Sequence, residues 1–444
     1  MKFALPVATV TSLMLAVMPH PVEAQAVDMS GVRSRLPGDD RLHQLEAQIR
    51  ANPQQLDYYF AYAQMATALG EFDKAADAYQ HMLQVDPELE RVKLELGVVY
   101  MKQRKYEDAE GLLREVLKKD LPDRVRANVE KVLAQVEEAG KENFYTGSLS
   151  WGVGYDSNGN SASDSDRVTV FDLSLPLAAA DQARSDRQMT VSASLNHRYQ
   201  QRDELAEGVL FGWGSSLNGY LSEQEYLDNL NIKVVGIRSG PTFTFKDWGL
   251  MLGVTGDYTQ IYLAGHSYLR LPSAELSANY VLTDTVRLNA AFAQEYREFV
   301  DSPTVSTYDD RSGPAHQGKL GVSWSATKQD IFDLTGTARH EDTKRTYYDN
   351  NQQRVDLGYT RLWEDSVFTR AQAAYRNAVY DGADPLISVK TRHDVEYDFG
   401  FTLGKQFEKN ITWTGGYLYR KVDSNLQNYE YDNHRITTSV NVRF

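Results

Sequence analysis

"SVKTRHDVEYDFGFTLG", Ser388 to Gly404, is the stretch that decides the fold. Val395, Tyr397, Phe399, Phe401 and Leu403 alternate in it with Lys390, Arg392, Asp394, Glu396 and Asp398. An extended strand sends successive side chains to opposite faces, so one face is apolar and aromatic and the other is charged. Burying the charged set in a dry core is prohibitive, and such a strand needs hydrocarbon on one side and water on the other. The same period recurs in Leu320, Val322 and Trp324 against Lys319 and Ser323, and in Val355, Leu357 and Tyr359 against Arg354, Asp356 and Thr360. Val286, Leu288, Ala290 and Phe292 against Arg287, Asn289 and Glu295 repeat it again. It ends the chain at "RITTSVNVRF" (435–444), where Ile436, Thr438, Val440, Val442 and Phe444 share one face.

Between these strands, tight turns fall at "KDW" (Lys246), "LTDT" (Leu282), "TKQD" (Thr327), "WEDS" (Trp363) and "FEKN" (Phe407), separated by longer polar links such as "VDSPTVSTYDDRSGPA" (300–315). Short turns on one side and long loops on the other are the pattern of an outer-membrane barrel. Trp248, Trp363 and Phe407, beside the turns, are expected in an aromatic girdle. Five hairpins counted back from Phe444 give ten strands down to Lys246. Four more are read near Val168 to Leu177, Gln188 to Tyr199, Gly208 to Leu221 and Tyr226 to Phe245. That predicts fourteen strands from about Val168. "FYTGSLSWGVGYDSN" (144–158) would be a fifteenth, and single-chain bacterial barrels have even numbers. Either this segment is a plug or linker, or the run from Tyr226 is two strands and the barrel has sixteen.

The N-terminus reads Met-Lys, an apolar run from Ala4 to Met18, then small residues at Val22, Ala24 and Ala26: a cleaved signal peptide over 1–26. The run is shorter than the roughly 20 residues that span a bilayer as a helix. Hydrophobic content of 42% excludes a disordered chain, and a formal charge of −14 speaks against nucleic acid. Tyr outnumbers Phe, 27 to 16, which suits rings with polar tips at a membrane interface.

From Leu42 to about Glu138 the period is helical. Pro53 and Pro87 are spaced as in a tetratricopeptide repeat of about 34 residues. Tyr59, Tyr62, Ala63, Ala66, Gly70, Phe72, Ala75 and Tyr79 sit where that pattern expects them. The second unit keeps Leu96, Gly97, Tyr100, Tyr106, Ala109 and Leu113 and departs at Lys93, Arg104 and Leu121. A third helix, about Asp123 to Glu138, is expected to cap the stack. The repeat pattern maps a concave face to Asp57, Phe60, Gln64 and Thr67, then Arg91, Leu94, Val98 and Met101. Apolar Leu94, Val98 and Met101 there either receive a peptide or protein partner or pack against a neighbouring element. Domains are therefore read as signal (1–26), periplasmic repeats (27–141) and barrel (142–444).

Chemistry is sparse. With no cysteine, disulfides, thiolate metal sites and cysteine nucleophiles are excluded. "DSNGN" (156–160) begins like a calcium loop, but Ser161 replaces its glycine and Arg167 its glutamate. His197, His266, His340, His393 and His434 lack a carboxylate at metal-site spacing and are read as lumen or rim residues. No nucleophile motif surrounds Ser148, Ser216 or Ser325, so no enzyme, metal or cofactor is expected. Lumen charges of both signs, Arg370, Arg376, Lys390 and Arg392 against Asp333, Asp394, Glu396 and Asp398, do not form a single-sign filter.

The resulting expectation is an α+β multidomain chain: N-terminal all-α tetratricopeptide-like repeats and a C-terminal antiparallel transmembrane β-barrel. With its signal, short repeats and barrel, and with "GVGYDSN" (152–158), "VVGIRSGPTF" (234–243) and "WGLMLGVTGDY" (248–258), the chain resembles the surface lipoprotein assembly modifier family, the outer-membrane component of type XI secretion. The resemblance implies a translocon that passes a surface lipoprotein or soluble secreted protein out of the periplasm of a Gram-negative cell. Its partners would be that cargo, outer-membrane lipid and the barrel-assembly machinery, which would recognise Ile436, Val440, Val442 and Phe444 on the terminal strand. A polysaccharide exporter, which also joins repeats to a barrel, and a passive porin are the alternatives.

Overall fold

The computed structural model describes residues 39–303 and 305–444, so the expected signal peptide lies outside the described residues. They divide into two compact units that part between Glu142 and Asn143. The first holds six helices: α1 (Asp39–Ala51), α2 (Leu56–Ala68), α3 (Phe72–Val85), α4 (Glu90–Lys102), α5 (Tyr106–Leu117) and α6 (Asp123–Ala139). Ala63 and Ala66 of α2 and Ala75, Ala76 and Ala78 of α3 are buried, and side chains this small let the two helices approach closely. The pair ends α2 with Gly70 at φ 78°, and Glu71 N–H donates to Ala66 O at 2.8 Å. One repeat later Arg104 takes the same left-handed conformation, φ 65°, and Lys105 N–H donates to Tyr100 O at 2.9 Å. The departure from glycine has thus left the turn unchanged and put the strain on an arginine. Lys93, the other departure, is buried and pairs with Glu115 of α5. Leu121 packs into the α5–α6 core, and Pro122 caps α6.

No helix among the described residues is long and apolar enough to cross a membrane. The second unit crosses with strands. They are β1 (Asn143–Asp156), β2 (Arg167–Val170), β3 (Leu173–Pro176), β4 (Asp186–Gln200), β5 (Val209–Gln224), β6 (Ile232–Phe245), β7 (Leu250–Leu263) and β8 (His266–Val281), then β9 (Val286–Phe299), β10 (Gly313–Ser325), β11 (Asp330–Glu341), β12 (Asn350–Leu362), β13 (Val367–Tyr380), β14 (His393–Glu408), β15 (Ile411–Ser424) and β16 (Tyr431–Arg443). Fourteen of them, β1 and β4 to β16, form one closed antiparallel barrel, with β1 pairing both β4 and β16.

The count of fourteen matches the sequence reading, but one member differs. Residues 144–156 are neither plug nor linker; they are the first barrel strand. Val168 to Leu177, expected as a barrel strand, instead forms the separate β2–β3 hairpin inside the β1–β4 connection. Four-residue strands fall short of the roughly 9–11 residues that cross a bilayer. The sixteen-stranded alternative fails because residues 226–231 are a bend with a single helical turn, leaving one strand from Ile232. In the opening stretch the strand starts at His393, so Lys390 and Arg392 belong to the preceding loop.

Turns and loops segregate as expected, with two exceptions. Residues 201–208 make the turn side's longest link, and Ala264–Gly265 form a tight two-residue turn on the loop side, at φ 49° and 81°.

Candidate functional site: the barrel lumen, its mouth and the face of the repeats

Strand alternation turns this barrel inside out. Leu149, Trp151, Val153, Phe399, Phe401 and Leu320 are exposed on the outer wall, where hydrocarbon covers them. Asp156, Asp394, Glu396, Asp398 and Arg420 are buried on the inner wall. Trp248, Trp363 and Phe407 stand exposed beside the turns, where a girdle belongs.

Inside, near the loop ends of β6 to β9, Ile232, Val234, Ile261, Leu263, Leu269 and Phe299 form a buried apolar cluster, and the rest of the wall has two characters. Over β9 to β15 it is charged. Glu396 accepts from Arg376 at 2.8 Å and Arg354 at 3.3 Å, while Asp398 is held by Arg420 through two bonds of 2.7 and 3.0 Å. A second cluster joins Arg297 and Arg339 to Glu341, with Arg339 also on Glu295. Arg370 pairs with Asp333 at 3.0 Å. Of the lumen charges expected from sequence, Arg370, Arg376, Asp333, Asp394, Glu396 and Asp398 are in place; Lys390 is exposed on a loop. Arg297, Arg339, Glu341 and Arg420 were not singled out in the sequence, although each has the inward parity of its strand. Bidentate arginine–carboxylate pairs of this kind tie strand to strand.

Over β16, β1, β4 and β5 the middle of the inner wall is small and uncharged, with charges at its ends: Arg435, Asp156 and Asp186 toward the loops, Arg198 and Arg443 toward the turns. Thr437, Ser439 and Asn441 are followed by Ser148, Ser150, Gly152 and Gly154, and then by Ser192, Ser194 and Asn196. Hydroxyls pair across the strands, Ser148 with Ser194 at 2.8 Å and Thr414 with Ser439 at 2.8 Å. Near the loop side, Arg435 bonds Asp156 across the seam where β1 meets β16.

The loop-side mouth is covered by connections bonded to one another. Phe171 N–H and Asp172 N–H donate to Leu386 O and Ile387 O at 3.0 and 2.9 Å, and Asp164 N–H donates to Glu430 O at 3.0 Å. Lys344 N–H donates to Ser312 O at 3.1 Å and Asp381 N–H to Asp349 O at 3.0 Å. Arg392 lies 3.3 Å over the Tyr429 ring and 4.7 Å over that of Tyr380. Burial pushes the Tyr429 hydroxyl up to about 12, so it stays neutral in ordinary conditions. Asp164 is also raised, first by burial and then by Asp432 and Glu430 nearby.

"DSNGN" serves this mouth as structure. Asn158 is buried, accepts from Ala162 N–H and donates to Ala162 O and Asp432 O. The barrel histidines expected in the lumen or at the rim, His197, His266, His340, His393 and His434, lie on the outer face near the rims, not in the lumen: His197 stacks on Tyr145 and His434 bonds Tyr417 at 2.8 Å.

On the repeats, Phe60 meets Tyr79 edge-on and carries the Arg91 guanidinium 4.8 Å over its ring. Asp57, Gln64 and Arg91 are exposed, Thr67 and Val98 half-buried. Leu94 and Met101 are half-buried against the α5–α6 core. On the terminal strand, Ile436, Val440 and Phe444 are exposed on the outer wall and Val442 is half-buried.

Comparison with known proteins places this geometry. Outer-membrane OmpT of Vibrio cholerae is similar at 10% identity and TM-score 0.40, over 68% of this chain and 97% of that one. An anion-selective porin from Comamonas acidovorans gives 9% and 0.36, over 68% and 99%. Residues 42–88 and 66–135 match tetratricopeptide repeat models. A surface lipoprotein assembly modifier of Pasteurella multocida (strain Pm70) is 19% identical over 450 residues, spanning 94% of this chain and 80% of the relative. Residues 145–444, the whole barrel from its first strand to Phe444, match the surface lipoprotein assembly modifier model. The chain therefore belongs to that family, with its barrel in the outer membrane and its repeats in the periplasm.

Proposed function

We propose that this protein moves a partner lipoprotein from the periplasm to the cell surface, the polypeptide passing through the barrel along the hydroxyl wall. The observation that carries this reading is the run of Ser, Thr, Gly and Asn over β16, β1, β4 and β5. At mid-height such a surface offers hydrogen bonds to any backbone and no fixed charge to hold a side chain, so a segment can slide along it whatever its sequence. The arginine–carboxylate clusters opposite brace the barrel. The bonded loops of the mouth must part for a chain to leave, and nothing in the sequence or the site calls for a covalent step. The repeats hold cargo beforehand, through a face that includes Phe60, Gln64, Arg91, Leu94, Val98 and Met101, and the terminal strand ending at Phe444 is what the barrel-assembly machinery takes up.

Deleting the gene should leave a surface lipoprotein made and stable but absent from the surface, with solute uptake and polysaccharide export normal. Ser192→Arg, which plants a charge on the hydroxyl wall, should give an assembled barrel with little display. Loss of an exopolysaccharide instead would favour an exporter, and loss of solute uptake a porin.

A further inference from the structure

Three arginines at the loop end of the barrel each stand over an aromatic ring. Arg297 lies 4.9 Å from the ring centre of Phe299, and Arg392 lies 3.3 Å from that of Tyr429 and 4.7 Å from that of Tyr380. Each of these two also holds a carboxylate, Arg297 that of Glu341 and Arg392 that of Asp394 at 2.6 Å. The third, Arg311, stands 4.8 Å over Tyr348 and makes no ion pair among the described residues.

Arg311 ends a single helical turn, Asp309–Arg311, in the connection after β9. Tyr308, just before it, packs on the apolar cluster of the inner wall, edge-on to Tyr268 at 5.0 Å, so the turn is folded into the mouth of the lumen. The two carboxylates nearest in sequence are engaged elsewhere, Asp309 by Lys344 and Asp310 by Arg345. The groups beside the Arg311 guanidinium are the phenols of Tyr268, Tyr348 and Tyr429, the last shared with Arg392. Phenols are neutral at ordinary pH, so none of them balances its charge. The Tyr268 hydroxyl is itself buried and makes no hydrogen bond, which leaves a second donor beside Arg311 without an acceptor. A half-buried guanidinium attracts an anion more strongly than one in open water, and its planar fork takes a carboxylate through two parallel bonds. The carboxylates on Arg297 and Arg392 show what completes such a seat in this lumen.

We propose that Arg311, with Tyr348 and Tyr429 as its platform, binds a carboxylate carried by a polypeptide in the mouth of the lumen, the acidic side chain taking the part that Asp394 plays on Arg392. The donors suit any carboxylate; the polypeptide source follows from the place, since a chain leaving along the lumen passes this turn. The inference rests on the translocation reading above and adds a point at which an acidic segment is held on its way out.

The test uses the full-length protein in detergent at low salt and the fluorescence anisotropy of a rhodamine-labelled hexaglutamate peptide, with labelled hexaglutamine as the uncharged counterpart and acetate as a competitor. Hexaglutamate should bind saturably and hexaglutamine should not. Arg311→Gln should weaken hexaglutamate binding about tenfold, the worth of one charge-assisted bidentate pair. Arg311→Lys keeps the charge but loses the fork, so it should fall between the two, and it serves if Arg311→Gln fails to fold. Lys390→Gln removes an exposed charge from another loop of the mouth and should change binding less than about twofold. Binding that Arg311→Gln leaves intact, or that Lys390→Gln weakens as much, would overturn the proposal. Displacement of the peptide by acetate at equal carboxylate concentration would overturn its polypeptide source, because the site would then take any small carboxylate. Failure of the translocation reading shows itself elsewhere, as normal lipoprotein display in cells lacking the gene.

Discussion

Val99 in the repeats and Glu396 in the barrel are equally hidden from solvent, at 1% and 2% exposure, and burial means opposite things for them. Val99 sits among Leu96, Ala75 and Tyr79, in a core built by excluding water. Glu396 sits among Arg354, Arg376 and Arg420, in a lumen whose hidden surface is ionic. One unit hides its oil and the other shows it. The contrast is one of majority, since the barrel also buries an apolar cluster of Val234, Ile261, Leu269 and Phe299 near its loops and the repeats bury Lys93.

The largest expected effect tests this contrast directly. Glu396→Ala leaves Arg376 and Arg354 facing one another without their shared carboxylate, and removing one partner of a buried pair costs about 3–5 kcal/mol. Val99→Ala removes two methyl groups from an apolar core at about 2 kcal/mol. Urea unfolding in detergent, followed by tryptophan fluorescence for the barrel and helical circular dichroism for the repeats, should show each loss in its own unit. The contrast breaks if Glu396→Ala costs less than Val99→Ala, because the lumen charges would then be solvated ornaments.

How far the sequence reveals this depends on whether the information is local. Alternation at Val395 to Leu403 and the tight turns are local, so ten strands from Leu250 onward were readable, as was the repeat at Gly70. The β2–β3 hairpin was read as a barrel strand because Val168 with Val170, and Leu173 with Leu175, each alternate as a membrane strand does, although the phase slips between Val170 and Leu173. That slip, the short length and a turn with two left-handed residues separate them, and Phe171 and Asp172 are not residues that announce such a turn. The ion clusters were hidden for another reason. Arg297 reaches Glu341 from β9 to β11, and Arg354 reaches Glu396 from β12 to β14, contacts that skip a strand and need the register to be seen.

A smaller effect sharpens the comparison at the backbone. Both units hold non-glycine residues at left-handed φ, Arg104 at 65° in the repeats and Phe171 and Asp172 at 49° and 61° in the hairpin. The arginine side chain gains nothing from being there: it is exposed, with the turn bonds made by backbone alone. Arg104→Gly should therefore stabilise the repeats by about 1 kcal/mol, the strain it relieves. Measured by thermal unfolding of the helical signal, no gain would mean that the side chain is held by something of value.

Asp172 differs, because its strain places a carboxylate. Ser388 donates its hydroxyl to Asp172 at 2.5 Å and Val389 N–H donates at 3.2 Å, fastening the hairpin tip to the loop that follows β13. These two bonds hold the Asp172 carboxyl below the usual aspartate range, the serine first and the backbone N–H second, against a small opposing effect of burial. A carboxyl whose folded value is depressed stabilises fully above its unfolded value, about 3.9, and loses that contribution as pH falls through the lower folded value. The tether should thus be intact at neutral pH and loosen only in strong acid. Hydrogen exchange of the Phe171 and Asp172 amides, which donate to Leu386 and Ile387, reads it out once corrected for intrinsic rates. Protection should fall toward pH 3, and Asp172→Asn, which cannot accept through two anionic oxygens, should show reduced protection already at neutral pH. Equal protection at both pH values in the native protein would mean that the backbone bonds alone fix the hairpin, leaving the strain at Phe171 and Asp172 as unrewarded as that at Arg104.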